Sequence, residues 1–580
     1  MPLPEYSGTL GLKRAAHLLR RATFGATKQQ IDAFATLTPA QAITALYRQA
    51  LPEPVLPIDP KTGQEWVISG ITDANSDGGE LEEYFKRWFV GQMMSVGIAP
   101  SLSLAYSARE KLVFFLHSHF TTITSKVANS RSLYFQNQLF RLFALDALNP
   151  DPIINFKTLT VKVSVDNAML RLLDGNLNVK GSVNENYGRE LLELYSLGRG
   201  LEGTLPPSPG QGDYILYTEQ DVQAAAKVLS GWDVEDTFST IDPDTNLPRG
   251  TVKGSINNAS AHDNDPKQFS PRFSNAIIQA DPLLAPGGIP NEASALDEVQ
   301  QLIDLIYAKP ETVKNICWKI YRYFVYAPHT PQESLGIDGS IVTEMANTFI
   351  SNNFKIQPVI ENLLRSQHFY EATAGVTDDN FGGIIRSPLD LVLHTLRFFE
   401  IPIPDMTTDP TGFYDATGEI VSNVYNQAMS FYEPYDVAGY DAYHQFPVYH
   451  RFWITPNTLA NRYAFIRSVI SNAEPGMFKV NVFDFVKNNI PNGTAADARL
   501  LVMELARYLL PVTDNLTFDD AVDDTSGLTA KRVNYFKERF LQTFDEAYWT
   551  TRWNEGAGDL RDQLEYLFNA LMQSPEYQLA

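Results

Sequence analysis

The sequence lacks the features that mark several common protein classes. Among 580 residues there is one cysteine, Cys317, so no disulfide can form within the chain. Cys317 lies at an apolar position of a predicted helix, and we expect a buried, unreactive thiol. No apolar run is long enough to cross a bilayer, and the first residues do not resemble a signal peptide. Taken literally, this predicts a cytoplasmic protein; export with a partner, to the envelope or the exterior, stays open.

Motifs for nucleotide and serine-hydrolase chemistry are also missing. There is no Gly-rich loop followed by Lys-Ser/Thr, no dinucleotide fingerprint and no Gly-x-Ser-x-Gly elbow. The 68 acidic and 46 basic residues give a formal charge of −22. This charge disfavours nucleic acid and anionic membranes as partners, and it favours cations or a basic surface on another protein.

Helical periodicity dominates what is present, and alternating β-branched strands are nearly absent. The best strand candidate is residues 159–165. Thr27 with Gln30, and Thr38 with Gln41, have the spacing of capping boxes at helix N-termini. We therefore predict an all-α fold, one large multi-helical domain over residues 1–580 with at most a small sheet. Apolar helical repeats occur at 11–21, 27–50, 80–98, 104–120, 128–147, 218–232, 292–307, 310–326, 338–351, 355–365, 386–400, 456–471, 494–509, 529–546 and 558–574.

Long irregular insertions separate these helices, at residues 51–79, 201–216, 236–291, 402–419 and 431–455. Loops of this length are often functional. The last is rich in aromatic residues, which disordered segments avoid, so we expect it to pack on the helical body. It could also line a pocket for a sugar or a peptide.

Residues 182–198 carry the clearest local pattern. Ser182 and Glu185 have capping-box spacing, and Gly198 lies where a helix end favours a left-handed residue. Glu190 and Glu193 share one face beside an apolar stripe, so they need a cation or a metal as partner. We expect this helix to contact helices 11–21 and 104–120, with basic residues of 11–21 pairing with its carboxylates. The predicted stripe is Tyr187, Leu191, Leu194 and Leu197.

Two histidines raise the possibility of a metal site. His117 and His119 lie where helix 104–120 ends, and neutral imidazole is a common metal ligand. With Glu190 and Glu193 they would form a mixed nitrogen and oxygen site for zinc, manganese or iron. The alternative is a buried structural network in which the histidines hydrogen-bond to the carboxylates.

His262 and Asp263, in the insertion 236–291, are the candidate acid–base residues for such a site. With them, the metal site would belong to a metal-dependent hydrolase.

A second candidate metal site resembles the opening of a calcium loop. Asp73, Asn75 and Asp77 supply oxygen ligands at the first, third and fifth positions, and a glycine follows. Position twelve is Tyr84 rather than glutamate, so the bidentate ligand is missing or shifted. Residues 242–246 form a weaker variant. A solvated turn rich in Asp and Asn is the alternative for both.

Several ordered motifs resemble a bacterial family known as domain of unknown function 1800. The central one is NENYGRELLEL at residues 184–194. Others are HLLRRATFG at 17–25, FLHSHFT at 115–121, YTEQDVQAAAKVLSGW at 217–232, RSPLDL at 386–391 and MQSPEY at 572–577. The resemblance covers nearly the whole chain and implies a helical architecture without an established activity.

The resemblance also bears on partner and site. Relatives are often encoded beside an alkaline-phosphatase-like protein, which is therefore the natural candidate partner. Leu116 and Tyr195 depart from the family pattern, which has Trp and His there, and the second change weakens the metal hypothesis. Two functions remain open: a scaffold that binds this partner, and a metal-dependent hydrolase.

Overall fold

The computed structural model describes residues 3–67, 79–373, 380–523 and 527–580. Helices form most of the described chain, and two antiparallel two-stranded sheets are the described β-structure outside isolated bridges: β1 (Trp232–Asp233) with β2 (Thr251–Val252), and β3 (Lys267–Gln268) with β4 (Ile277–Ile278). The predicted all-α class is confirmed. No helix in these ranges is long and apolar enough to cross a membrane.

The first half of the described chain holds helices α1 to α11. They are α1 (Gly11–Ala22), α2 (Lys28–Ala35), α3 (Pro39–Tyr47), α4 (Glu80–Met93), α5 (Ser103–His119), α6 (Thr124–Val127), α7 (Ser130–Ala144), α8 (Phe156–Ser164), α9 (Asn167–Leu172), α10 (Asn186–Glu190) and α11 (Glu219–Val228).

The second half holds helices α12 to α26. They are α12 (Glu292–Tyr307), α13 (Pro310–Phe324), α14 (Pro331–Ile337), α15 (Thr343–Ser351), α16 (Ile356–Arg365), α17 (Pro388–Phe398), α18 (Pro410–Asn426), α19 (Asp441–His444), α20 (Pro456–Ile470), α21 (Val482–Asn489), α22 (Asn492–Ala496), α23 (Ala498–Leu509), α24 (Ala530–Leu541), α25 (Glu546–Asn554) and α26 (Arg561–Met572).

The buried apolar side chains form one continuous cluster that runs from Leu3 to Tyr577. Residues from both ends of the chain share it, and the carbonyl of Ala580 accepts a hydrogen bond from Arg21. The single domain expected from the sequence stays a prediction, and the continuity of this core favours it. Cys317 is fully buried, and burial raises the pKa of its thiol.

Local capping signals set several helix starts as predicted. The Gln30 amide N–H donates to Thr27 Oγ1 at 3.2 Å, and the Thr27 N–H donates to Gln30 Oε1 at 3.0 Å. Thr38 and Gln41 form the same reciprocal pair. These boxes divide the predicted helix 27–50 into α2 and α3.

Two expectations about regular structure are wrong. Residues 159–165, expected as a strand, lie mostly in α8, which starts where Asn155 Oδ1 accepts the Thr158 N–H at 2.9 Å. The insertion 402–419 contains the start of α18, which Asp409 caps by accepting the Gly412 N–H at 2.9 Å. In both places a capping side chain and burial outweigh the residue pattern.

Basic residues of α1 do not pair with the central carboxylates, which corrects the expectation above. Arg20 donates to the carbonyls of Tyr508 and Leu510, and Arg21 donates to carbonyls that include Val325 and Asn380. Lys13 pairs with Asp514. These cations therefore satisfy backbone carbonyls and a distant acid, because α1 packs against α2 and α23.

The aromatic segment 431–455 packs on the body, as predicted. Phe431, Tyr432, Tyr440, Tyr449 and Trp453 are all buried. Tyr435 is the contrast, since its side chain is 100% exposed. The insertion 236–291 holds strands β2, β3 and β4, and β2 pairs with β1 just before the insertion.

Candidate functional site

The central helix is shorter than predicted and changes its winding. It begins after Glu185 as α10 and continues as a π-helical segment over Leu191–Tyr195. The predicted capping box is absent, because Asn178 Oδ1 accepts the Asn184 N–H at 3.0 Å and Ser182 forms a bridge with Val179. Gly198 has the expected left-handed backbone, with φ of 73°.

The π-helical winding alters which side chains are buried. Tyr187, Leu191 and Leu197 are buried as predicted, but Leu194 is only half-buried. Tyr195 is buried instead, and its hydroxyl has no hydrogen-bond partner within the described ranges. A π-helical turn has more residues than an α-helical turn, so positions after Glu190 leave the predicted stripe.

Three consecutive carbonyls at the end of this segment accept side-chain donors. Lys319 Nζ donates to the Leu194 carbonyl at 2.6 Å, and Asn315 Nδ2 donates to the Ser196 carbonyl at 2.7 Å. His119 Nε2 lies 3.0 Å from the Tyr195 carbonyl, and since a carbonyl only accepts, Nε2 carries the proton. Helices α5 and α13 thereby cap the carbonyl end of the central helix.

A cleft of about 810 Å³ opens beside these contacts. The central helix and the segment after it form one wall, α13 forms another, and the aromatic segment closes the side with Asp436, His444 and Phe446. A volume of this size accommodates a small organic ligand. The charged side chains that line it are Glu190, Glu193, Arg199, Glu202, Glu311, Lys314, Lys319, Arg322, Asp338 and Asp436.

Glu190 and Glu193 differ in how they are held, although both line the cleft. Glu193 pairs with Arg199 and accepts the Tyr217 hydroxyl at 3.0 Å. Among the residues described, none donates a hydrogen bond to the Glu190 carboxylate or pairs with it. Burial, then the charges of Glu193 and Asp436, raises the pKa of Glu190 to about 7. Glu190 can therefore gain and lose a proton near neutral pH.

Lys319 is the second unusual group in the cleft. Burial, then the neighbouring Arg322, lowers the pKa of the Lys319 ammonium to about 7. Lys314, on the same helix and the same cleft, instead lies 2.6 Å from Asp338. Two groups that titrate near neutral pH thus share one cleft, a pattern typical of functional sites.

The four predicted transition-metal ligands do not form a metal centre in the described residues, where no group of three or more His, Cys, Asp or Glu side chains is arranged to hold an ion. His117 is fully buried and stacks on Tyr432, with ring centroids 3.7 Å apart. Burial lowers its pKa to about 3, so the ring is neutral. The predicted hydrogen bonds from the histidines to the central carboxylates are also absent among the described residues, since His119 contacts the backbone carbonyl of Tyr195.

His262 and Asp263 lie in a different buried cluster. His262 Nδ1 is 2.8 Å from the Ser230 carbonyl, and its Nε2 is 3.0 Å from Glu298 Oε2. Lys267 donates to the same carboxylate oxygen. The backbone N–H of Asp263 donates to the Ser230 hydroxyl at 2.9 Å, which fixes the position of Asp263. Neither residue is among those that line the cleft.

The calcium candidates have separate outcomes. Asp73, Asn75 and Asp77 lie outside the described residues, so that site stays a prediction. In the weaker variant at 242–246, Lys162 Nζ lies 2.8 Å from Asp242 and 2.5 Å from Asp244. An ammonium group thus stands where a calcium ion would bind.

Sequence reasoning found Glu190 and Glu193 but missed Lys319 and Asp436. Lys319 lies in a helix with strong apolar periodicity, and nothing local distinguishes it from the paired Lys314. The only available signal was its spacing from Arg322, three residues on, which places two cations on one face.

One family comparison returned a match over nearly the whole chain. The family model described as "Protein of unknown function (DUF1800)" matches residues 17–579. No curated protein matches the chain, and no solved structure does.

Proposed function

The chain belongs to the DUF1800 family, and we propose that it acts on a polar ligand in the central cleft by acid–base catalysis. The family has no assigned activity, so the proposal rests on the site. One observation carries it: the Glu190 carboxyl is half-buried, has no hydrogen-bond partner among the described residues, and has a pKa of about 7.

The chemistry that fits this group is hydrolysis. An ionised Glu190 can accept a proton from a water molecule as the water attacks a bound substrate. The protonated Glu190 can then return the proton to the leaving group. A pKa close to the working pH makes both transfers efficient. Glu193 stays paired with Arg199 and Tyr217, and its charge helps to keep the pKa of Glu190 high.

Isosteric replacement tests the role of Glu190. The Glu190→Gln variant keeps the shape of the side chain but cannot carry a proton. Wild type and variant are assayed against panels of activated esters, glycosides, phosphate monoesters and peptide amides. We expect any turnover by the wild type to fall by about 10²–10⁴-fold in the variant.

Glu538→Gln is the matched control, because Glu538 is an exposed carboxylate on α24, away from the cleft. Infrared spectroscopy of the carboxyl band gives a second readout. A protonated carboxyl that disappears near pH 7 in wild type and is missing in Glu190→Gln supports the proposal. Titration of Glu190 near its ordinary value, or turnover that survives the change, overturns it.

The metal-dependent form of the hydrolase hypothesis has less support. It needs His117, His119, Glu190 and Glu193 around one ion, and His117 does not line the cleft with the other three. Metal analysis of the purified protein, with Glu190→Ala for comparison, tests this form directly. Stoichiometric metal that is lost in the variant would restore it.

A second candidate function is partner binding, which the exposed Tyr435 favours. It is fully exposed and precedes Asp436, which lines the cleft, and aromatic side chains are common anchors in protein interfaces. By family resemblance, the candidate partner is an alkaline-phosphatase-like protein. The chain would then act as a scaffold for that enzyme.

Mixing the two purified proteins tests the scaffold hypothesis. Co-elution in size-exclusion chromatography that is lost in Tyr435→Ser supports it. Tyr425→Ser is the matched control, since Tyr425 is 64% exposed but lies on α18, outside the aromatic segment. Separate elution of the wild-type proteins at micromolar concentration counts against it.

A further inference from the structure

Lys319 is a half-buried amine without a carboxylate partner among the described residues. It lies on α13 and lines the cleft, and its Nζ donates to the Leu194 carbonyl at 2.6 Å. No carboxylate lies within ion-pair distance of it in the described parts of the chain. Lys314 is its counterpart on the same helix and pairs with Asp338 at 2.6 Å. A lysine that faces a cleft without a counter-ion needs an explanation, because burying an unpaired ammonium is costly.

The groups around Lys319 favour its neutral form. Arg322 lies nearby and disfavours a second positive charge, while the Glu202 carboxylate opposes this effect. His119 and His444 also face it, and the charge of Lys319 lowers the pKa of both rings. With burial, these groups hold the pKa of Lys319 at about 7, so a large fraction of the amine is uncharged at neutral pH. An uncharged lysine amine is a nucleophile.

Arg322 offers a donor for an anion next to this amine. Its Nε is buried, and no described residue accepts a hydrogen bond from it. Its guanidinium lies 3.8 Å from Glu202, beyond hydrogen-bond distance, and 3.4 Å from the Tyr449 hydroxyl. A guanidinium with a free donor in a cleft suits a ligand carboxylate.

We infer that Lys319 condenses with the carbonyl group of a ligand that also carries a carboxylate, with Arg322 as the anion contact. The amine lone pair attacks the carbonyl carbon, and a proton moves from nitrogen to oxygen. Loss of one water then leaves a C=N bond between ligand and Nζ. The step needs no oxidant or reductant. The ligand class is thus an aldehyde acid or a keto acid.

This inference goes beyond the acid–base proposal, because it requires the cleft but not proton transfer by Glu190. The two can fail separately. Carbonyl trapping at Lys319 and hydrolytic turnover are separate measurements, so either proposal can fail while the other stands.

Reductive trapping tests the inference. The full-length protein is incubated with glyoxylate and cyanoborohydride near pH 7.5, and peptide mass mapping locates each carboxymethyl group. We expect Lys319 to be modified first, at least about tenfold faster than Lys314, because an ordinary lysine with a pKa of about 10.4 is almost fully protonated there. Lys319→Arg is expected to lose this first modification.

Two further variants make the result of the trapping experiment decisive. Arg322→Gln is expected to slow trapping by glyoxylate more than trapping by the uncharged acetaldehyde, because only glyoxylate carries a carboxylate. Lys314→Arg should leave the modification of Lys319 unchanged. Equal rates at Lys314 and Lys319, or labelling spread over surface lysines with Lys319 protected, overturn the inference. If Arg322→Gln slows trapping by glyoxylate and by acetaldehyde equally, the ligand does not need a carboxylate.

Discussion

The molecule contains two sets of the same three residue types, and they are held in opposite ways. Glu298, Lys267 and His262 are fully or almost fully buried, and one oxygen of Glu298 accepts hydrogen bonds from the other two side chains. Glu190, Lys319 and His119 face the cleft and do not bond to one another. Lys319 and His119 contact backbone carbonyls, and Glu190 has no bonded partner among the described residues.

The two sets differ in whether each charged group has a partner of opposite charge among the described residues. In the first set each charged group contacts a fixed partner, so removal of one member leaves the others buried and unmatched. In the second set, burial without a partner shifts the pKa values of Glu190 and Lys319 toward 7. Residue type alone therefore does not identify a functional site; unmet hydrogen-bonding and charge capacity in a cleft does.

Removing Glu298 should disrupt the first set, and we expect it to cause the largest loss of stability. Glu298→Ala leaves Lys267 and His262 buried without their carboxylate, so we expect a loss of about 3–5 kcal/mol in the free energy of unfolding. Urea denaturation followed by circular dichroism measures it. Glu298→Gln keeps one acceptor and should cost less; equal costs would show that the pairing contributes little.

Glu190→Gln should have a smaller effect with the opposite sign at high pH. The pKa of Glu190 is about 7 in the folded protein, above its ordinary 4.5. The folded state therefore binds more protons than the unfolded state between these values, and wild-type stability falls as pH rises through this window. Since Glu190 is partly exposed, we expect the variant to exceed wild type by only about 1–2 kcal/mol at pH 8.

Denaturation at a series of pH values checks this difference, with Glu538→Gln as control. The gap between wild type and Glu190→Gln should close below about pH 4.5. A marked destabilisation by Glu190→Gln at every pH would instead place Glu190 with Glu298, as part of a structural network.

Lys319→Met should change stability with a pH dependence of the opposite sign to that of Glu190→Gln. The pKa of Lys319 is about 7 when folded and 10.5 ordinarily, so the unfolded state binds more protons between these values. Wild-type stability relative to the variant should therefore rise as pH increases from 7 toward 10. Thermal melts across this range measure it, and a difference independent of pH would contradict the shifted pKa.

Much of the fold was predictable because its signals are local. The range 292–307 agrees with α12, and the boxes at Thr27 and Thr38 start α2 and α3. The failures at 159–165 and 402–419 occur where burial and a single capping residue, Asn155 or Asp409, decide between alternatives. Neighbouring residues in the chain do not reveal such burial.

The candidate site was only half predictable. Glu190 and Glu193 stand out because two carboxylates adjoin an apolar stripe. Lys319 and Asp436 join them only in the folded chain, from a helix and a loop more than a hundred residues away in sequence. No local pattern shows that His262 contacts Glu298 in a separate cluster, because the two residues lie 36 positions apart in the chain.

The sequence by itself determined the helical class, most helix starts and the central carboxylates, because these depend on periodicity and on capping bonds between residues three or four apart. Only the tertiary structure decided which charges are paired. It set the π-helical turn at Leu191–Tyr195, brought Lys319 and His119 to the carbonyls of Leu194 and Tyr195, and left Glu190 without a partner among the described residues. Pairing and desolvation depend on distances between remote segments, which no local pattern encodes.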